Sequence, residues 1–203
     1  MEKTATSRAA TEGDLEVVTD ILTTAFAEDP VWGGWAFPDR ERATEHRRKW
    51  VRFYVNGALR YPWVRVTEHD EAAALWIPPG GTDLSKEDEE REVSLFKEWF
   101  GEHAGVHLEA LELFHAAHPR EVPHYYLGLL GTRVDHRGKG LGMALLKENL
   151  ALIDEERMPA YLESTNPVNL PKYEQLGFAK VGEFTFSGGG PTVETMWRDP
   201  RTG

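Results

Sequence analysis

Cysteine is absent from the 203-residue chain. This absence excludes disulfide bonds, thiolate metal sites and a cysteine nucleophile, and it is typical of proteins in a reducing compartment. The chain also has no apolar run near the roughly 20 residues that span a bilayer. Its N-terminal segment, MEKTATSRAATEGD, lacks the apolar stretch of a secretory signal. We therefore expect a cytoplasmic protein without a membrane partner.

Positive charge is scarce relative to negative charge. The chain has 23 Lys and Arg against 34 Asp and Glu, so its formal net charge is −11. Because nucleic-acid binding depends mainly on neutralising phosphates with cationic side chains, nucleic acid is not an expected partner. The acidic surface either favours the approach of cationic small molecules or simply maintains solubility. Its densest part, Asp83–Glu92, predicts a solvated helix face.

Two kinds of catalytic motif are also missing. No serine lies in a G-x-S-x-G sequence, so the chain gives no sign of hydrolase-type acyl-enzyme chemistry. The eight histidines show no H-E-x-x-H motif, and we predict no metal site.

Hydrophobic periodicity and turn residues divide the chain into helices and strands. Helices are predicted over 15–26, 40–60, 140–156 and 170–176, with a polar helical region over 86–117. Strands are predicted over 63–67, 72–77, 124–133, 160–165, 179–186 and 193–197. Hairpins in the first half favour antiparallel pairing, and strand–helix–strand order in the second half favours a parallel pair with a right-handed crossover. We predict an α/β (α+β) fold, a single domain over 1–203 with a mixed sheet of about six to seven strands and helices on both faces.

A glycine-rich turn joins one predicted strand to the helix after it. Gly138, Gly140 and Gly142 lie within five residues there. Glycine allows positive φ and close approach of a ligand, and the free N–H groups and dipole of a helix N-terminus favour an anion such as a diphosphate. The turn lacks the Walker A sequence, and Met143 breaks the dinucleotide pattern G-x-G-x-x-G. It matches R-x-x-G-x-G instead, beginning at Arg137, and a glycine-rich turn without any ligand is the alternative.

Two segments resemble the signatures of the GNAT acetyltransferase superfamily. The stretch Gly131–Leu146 is similar to its pyrophosphate-binding motif, and Tyr161–Phe178 is similar to its second signature, an asparagine followed by Y-x-x-x-G-F. The two segments lie in the family's order and at about its spacing. The resemblance covers nearly the whole chain. It is strongest over 124–184, the implied cofactor-binding half, and weakest over 80–120, and Val134 departs from the proline that many relatives carry.

The resemblance implies acetyl-coenzyme A as the cosubstrate and assigns roles by position. Backbone groups of Leu130, Gly131 and Thr132 would pair with the acetyl and pantetheine amides. The pyrophosphate would be bound by backbone N–H groups of Arg137, Gly138, Lys139, Gly140, Leu141, Gly142 and Met143. Either Asn166 or Asn169 would hydrogen-bond the cofactor. Tyr173 would act as the general acid toward the departing thiolate.

The implied reaction is acetyl transfer to a primary amine of a small molecule, such as an amino-nucleoside antibiotic, by direct attack in a ternary complex. The amine must lose a proton first, because an alkylammonium has a pKa of about 10.4. Glu163, on the strand before the second signature, is either the general base or an ordinary strand carboxylate. Trp32 and Trp35, in a predicted loop, either floor the acceptor pocket or anchor the loop.

Three other functions stay open on the sequence. They are a peptide or protein N-acetyltransferase, a non-catalytic coenzyme A sensor, and a nucleotide-binding module that uses the same turn. A peptide requires an open groove, whereas a drug-sized amine requires an enclosed pocket. The intact glycine turn and Tyr173 favour catalysis over sensing. The expected assembly is a monomer or a homodimer.

Overall fold

A computed structural model describes residues 6–201 and contains a seven-stranded sheet of order β1-β2-β3-β4-β5-β7-β6. The strands are β1 (Ser7–Ala9), β2 (Val64–Thr67), β3 (Ala72–Ile77), β4 (Tyr125–Thr132), β5 (Ala160–Ser164), β6 (Ala179–Thr185) and β7 (Thr192–Arg198). The α-helices are α1 (Leu15–Ala25), α2 (Ala43–Ala58), α3 (Lys86–Phe100), α4 (Ala104–Ala117), α5 (Leu141–Glu155) and α6 (Leu170–Gln175).

The sheet is mixed, as the order of elements predicts. Strands β1 to β4 pair antiparallel in sequence order, and β4 pairs parallel with β5. The last strand, β7, inserts between β5 and β6 and is antiparallel to both. Helix α5 connects the two parallel strands. The predicted mixed sheet of six to seven strands is thus confirmed at seven.

Strand β3 shows that helices cover both faces of the sheet. All six of its residues are buried, which is expected for a central strand covered on both sides. Ala73, Leu75 and Ile77 belong to the apolar cluster formed with α1 to α4. The alternate residues of the strand belong to the cluster formed with α5 and α6: Ala72, Ala74 and Trp76. The predicted two-sided covering is confirmed.

The predicted helical region over 86–117 divides into two helices. The Ser85 hydroxyl accepts a hydrogen bond from the backbone N–H of Asp88, so it caps the start of α3. Gly101, at φ +55°, follows Phe100, and a 3₁₀ turn leads into α4. The predicted loop that contains Trp32 and Trp35 is also more regular than expected, because Pro30–Trp35 forms a π-helical turn.

No helix within residues 6–201 is both long enough and apolar enough to cross a bilayer.

Candidate active site

Strands β4 and β5 separate in the middle of the sheet. Their register pairs run from Tyr125 with Ala160 to Leu127 with Leu162 and then stop. Gly128 is the extra residue of a β-bulge, because Leu75 and Trp76 of β3 pair with residues 129 and 127. A bulge bends a strand and ends its pairing on one side. The two strands therefore diverge beyond Gly128.

The second half of β4 has one unpaired edge as a result. Leu130, Gly131 and Thr132 pair with β3, and none of them pairs with β5 in the described part of the chain. Their backbone N–H and C=O groups on that side are available to a ligand that adds like a strand. These are the three residues predicted to hold the acetyl and pantetheine amides.

The glycine-rich turn lies at the end of this open edge. Gly138 and Gly140 both have φ +76°, in the left-handed region, and Gly140 directly precedes α5. A Cβ on Gly142 would lie 2.7 Å from the Thr132 hydroxyl oxygen, so the absence of a side chain lets α5 begin close to β4. Leu141 is buried and Met143 is partly buried in the cluster under α5. The free N–H groups of the α5 N-terminus thus follow directly on the unpaired β4 edge.

The two basic side chains of the turn differ in what they contact. Arg137 donates hydrogen bonds to Oε2 of Glu28 at 2.7 Å and to the Ala25 carbonyl at 2.6 Å, which ties the turn to the end of α1. Lys139 is exposed, with Nζ 3.4 Å from the Asp135 carbonyl oxygen. The Arg137 charge is therefore partly neutralised by Glu28, and its side chain supports the turn.

Tyr173 and the two asparagines line the same cavity. The Asn166 side-chain oxygen accepts from the backbone N–H of Val168 at 3.1 Å and caps the turn that follows it. The Asn169 side-chain oxygen accepts from the Lys172 ammonium at 2.9 Å. Burial, followed by the charge of Asp29, raises the pKa of Tyr173 to about 12. The phenol is therefore a hydrogen-bond donor at neutral pH.

The cavity has a volume of about 670 Å³ and runs from the opening between β4 and β5 toward α3 and α4. Carboxylates outnumber basic side chains on its walls. The carboxylates are Asp29, Asp83, Glu89, Glu92, Glu112 and Glu163. The lining contains one guanidinium, that of Arg120, and the imidazoles of His107, His115 and His118. Such a wall favours a cationic occupant.

Glu163 is the most enclosed of these carboxylates. Its side chain is 1% exposed, and its Oε1 has no hydrogen-bond partner among the described residues. Burial and then the charge of Glu163 raise the pKa of the Tyr126 and Tyr161 hydroxyls. A buried carboxylate oxygen without a donor is energetically costly unless a ligand or water supplies one. The predicted base thus faces the cavity with an open acceptor position.

The charged run 83–92 is mostly exposed over residues 86–91, as the predicted solvated helix face requires. Three of its carboxylates, Asp83, Glu89 and Glu92, also line the cavity, which the sequence pattern did not predict. Burial, and then the charge of Glu163, raises the pKa of Asp83 to about 6. Glu92 accepts a hydrogen bond from the Tyr54 hydroxyl at 2.5 Å, and burial raises its pKa. A sequence signal was available, because Glu89, Glu92 and the buried Phe96 are spaced by three and four residues and share one face of α3.

Aromatic side chains form the other wall. Trp32 stacks on Trp50 with ring centroids 4.2 Å apart, and both line the cavity together with Phe114. Asp29 holds Trp32 in place. Its Oδ1 accepts from the Trp32 backbone N–H at 3.0 Å, and its Oδ2 accepts from the Thr165 hydroxyl at 2.7 Å. Trp35 instead packs near Phe186, with ring centroids 6.5 Å apart.

No group of three His, Asp or Glu side chains in residues 6–201 is placed to hold a metal ion. His103 and His107 are one helical turn apart in sequence. His107 is 1% exposed and stacks on Phe100 at a centroid distance of 3.9 Å, so its ring is a part of the aromatic core.

No protein-family model matches the chain. Among solved structures, it is similar to a Corynebacterium glutamicum protein described as histone acetyltransferase HPA2 and related acetyltransferase. The identity is 24%, the match covers 99% of each chain, and the TM-score is 0.69. It is also similar to arylalkylamine N-acetyltransferase 2 from Aedes aegypti, at 16% identity over 98% of this chain and 100% of the other, with a TM-score of 0.64.

A third similar structure is the polyamine N-acetyltransferase of Drosophila melanogaster. Its identity to this chain is 17%, with 96% of this chain and 99% of the other covered and a TM-score of 0.62. Identities this low establish a shared fold, and the matches run over almost the full length of every chain. The chain therefore has the fold of the GNAT acetyltransferases.

Proposed function

We propose that the chain transfers an acetyl group from acetyl-coenzyme A to a primary amine of a cationic small molecule. One observation carries the proposal. The unpaired β4 edge beyond Gly128 leads from the free amides of the α5 N-terminus to a cavity lined by six carboxylates. An anionic, amide-containing donor and a cationic acceptor would meet where Glu163 and Tyr173 lie.

The residues at this edge fit acetyl-coenzyme A. Leu130, Gly131 and Thr132 would pair with its amides through the backbone, and the N–H groups of Arg137–Met143 would bind its pyrophosphate. Asn169 is the better candidate for the side-chain contact. The Asn166 oxygen caps a turn through a backbone N–H, whereas the Asn169 oxygen accepts from the exposed, flexible Lys172 side chain.

The reaction needs a proton acceptor, a proton donor and support for the oxyanion. Glu163 would take a proton from the acceptor ammonium, since its Oε1 is buried and has no partner among the described residues. Tyr173 would donate to the departing sulfur, because its raised pKa keeps the phenol protonated. A backbone N–H on the open β4 edge would bind the oxyanion. Direct attack requires no covalent enzyme intermediate.

The acceptor is proposed to combine a cationic amine with an apolar or aromatic body. The carboxylates suit the ammonium, and the Trp32–Trp50 stack suits a flat ring. An amino-nucleoside antibiotic has this character, and segments such as D-H-R-G-K-G-L-G and N-L-P-K-Y-E-Q-L-G-F resemble those of puromycin N-acetyltransferase. Agmatine and arylalkylamines, named for two similar structures, are further probes. Helices α3 and α4 wall the cavity, which favours a small molecule over a peptide.

Two measurements test the proposal. Acetyl-coenzyme A at about 100 times its Kd stabilises the native state by about 2.7 kcal/mol, which appears as a rise in Tm. ATP and NAD should give no rise. Release of coenzyme A thiol in the presence of puromycin, agmatine or phenethylamine then reports transfer. Stabilisation by ATP without an effect of acetyl-coenzyme A would refute the proposal, as would binding of acetyl-coenzyme A without turnover of any amine.

A further inference from the structure

Two histidines outside both sequence signatures extend from Glu163 toward the surface. His118 directly follows α4, and its Nδ1 lies 3.9 Å from Oε1 of Glu163. Its Nε2 lies 3.2 Å from Nε2 of His124, which precedes β4. Nδ1 of His124 lies 2.7 Å from the backbone carbonyl oxygen of Val122. These contacts form one polar chain between a buried carboxylate and the exposed loop before β4.

Hydrogen-bond chemistry fixes the tautomers along this chain. A carbonyl oxygen only accepts, so Nδ1 of His124 carries a hydrogen. The other nitrogen of neutral His124 is then an acceptor, so Nε2 of His118 must donate to it. Neutral His118 consequently has its lone pair on Nδ1, the nitrogen that faces Glu163. Its ring can take up a proton there and keep its contact with His124.

His118 lies at the C-terminal end of α4. Burial lowers the pKa of His124, and the hydrogen bond to Val122 offsets this effect only in part. The His124 ring therefore stays neutral. The titratable and charged groups around His118 are Tyr161 and Glu163 of β5, Tyr126 of β4, His124 before β4, Asp83 before α3 and Arg120 after α4.

Glu163 needs a route for its proton. At 1% exposure its side chain has almost no contact with bulk water, whereas the His118 side chain is 27% exposed. The separation of 3.9 Å between Nδ1 and Oε1 is within reach of an ion pair or of one bridging water. His118 is therefore a titratable group that reaches both the carboxylate and the solvent.

We propose that His118 receives the acceptor's proton from Glu163 and releases it to water. This inference rests on the proposed acetyl transfer. In the same arrangement, His124 is a positioning residue that holds His118 in the tautomer with a free Nδ1.

The protons of this step balance. An alkylammonium loses two protons on becoming an amide. The first passes to the Glu163 carboxylate, then to Nδ1 of His118, and then to water. The nitrogen lone pair forms the N–C bond as the C–S bond breaks. The second nitrogen proton replaces the one that Tyr173 gives to sulfur. Glu163, His118 and Tyr173 end as they began, and one proton per turnover enters the solution.

The first test is kinetic and uses the full chain with acetyl-coenzyme A and whichever of puromycin, agmatine and phenethylamine gives the highest wild-type kcat. His118→Gln should lower kcat about 100-fold, the scale of a lost acid–base group, with the Kd for acetyl-coenzyme A unchanged. The acid limb of its kcat–pH profile should move. The matched control is His69→Gln, the same change at an exposed turn between β2 and β3, and it should leave the profile unchanged.

Two further variants separate proton transfer from structure. Imidazole added to His118→Ala should restore kcat, and substituted imidazoles should restore it in proportion to their basicity. His124→Phe keeps an aromatic ring without an acceptor and should lower kcat, whereas His124→Gln retains an acceptor and should recover most of it. A merely structural role for either histidine would not give these rescues.

The second test needs no acceptor. Nitrogen-15 NMR of the histidine rings in the free protein should find the hydrogen of neutral His118 on Nε2 and that of His124 on Nδ1. The opposite tautomer of His118 would overturn the inference. So would wild-type kcat and pH dependence in His118→Gln. A wild-type protein that acetylates none of the amines would instead refute the proposed function itself, and the relay with it.

Discussion

Tyr173 shows how burial sets the chemistry of a single side chain. Its ring lies 6.0 Å from that of Phe178, and burial together with the charge of Asp29 raises its pKa to about 12. An ordinary thiol has a pKa of about 8.5, so the Tyr173 phenol is a weaker acid than the thiol that forms when the leaving sulfur is protonated. In the proposed reaction Tyr173 would therefore donate a hydrogen bond to sulfur, with full transfer only as the amine proton replaces its own.

Tyr173→Phe tests this role because it removes the hydroxyl and keeps the ring. We expect kcat to fall about 100-fold, within the range for a lost acid–base group, with the Kd for acetyl-coenzyme A nearly unchanged. Steady-state kinetics and calorimetric titration give the two quantities. Tyr125→Phe is the control, because its hydroxyl bonds Glu156 at the far end of α5. An equal loss of kcat and affinity in Tyr173→Phe would mean that the residue is structural.

The two asparagines make a matched pair. Asn166→Ala removes a turn cap and should lower the free energy of unfolding by about 1 kcal/mol with acetyl-coenzyme A affinity retained. Asn169→Ala should instead raise the Kd for acetyl-coenzyme A about tenfold, the effect of one lost hydrogen bond. Urea denaturation and calorimetric titration measure the two effects. The reverse result would assign the cofactor contact to Asn166.

At the scale of elements, local sequence patterns predicted the positions of the strands and helices well. They did not predict the bulge in β4 or which side of α3 faces the cavity. The strand over 124–133 and the helix over 140–156 were predicted nearly to the residue, because apolar periodicity and glycines are local signals. The bulge at Gly128 depends on pairing with β3, which is remote in sequence. The cavity-facing side of α3 depends on its packing against α2 and α4, which a local pattern within α3 does not show, so the charged run 83–92 indicated only the solvated side.

The turn before α5 gives a prediction at this scale. Gly140→Val places a β-branched residue at φ +76° and should abolish measurable binding of acetyl-coenzyme A. Gly189→Val imposes the same strain at φ +79° in the β6–β7 turn, where an added Cβ also meets nothing within 4 Å. Both variants should lose comparable stability, and only Gly140→Val should lose affinity. Thermal melting with and without acetyl-coenzyme A measures both, and unchanged affinity in Gly140→Val would refute the assigned site.

Charge distribution is the property of the whole molecule that bears most on function. The net charge of −11 favours the approach of cations from solution, and the carboxylates of the cavity extend that field inward. The sequence alone left open whether this charge serves solubility or recognition. The proposed recognition depends on the fold, because Asp29, Asp83 and Glu163 are far apart in sequence and line the same cavity.

The aromatic core makes the whole fold sensitive to acid through His107. Burial lowers the pKa of His107 from its ordinary value of 6.5 to about 4, since an imidazolium against Phe100 would lose its hydration. The unfolded chain takes up this proton near pH 6.5 and the native state only near pH 4. Native stability is therefore full above pH 6.5 and falls as the pH drops toward 4, by about 3 kcal/mol at about 1.4 kcal/mol per pKa unit.

His107→Leu should remove that part of the acid loss, because leucine is apolar and does not titrate. The difference in free energy of unfolding between wild type and variant, from urea denaturation at pH 7.5 and at pH 4, should shift toward the variant by about 3 kcal/mol. His69→Leu makes the same substitution at an exposed turn and should give no comparable shift. If His107→Leu and wild type lost equal stability between the two pH values, the acid sensitivity would arise elsewhere in the molecule.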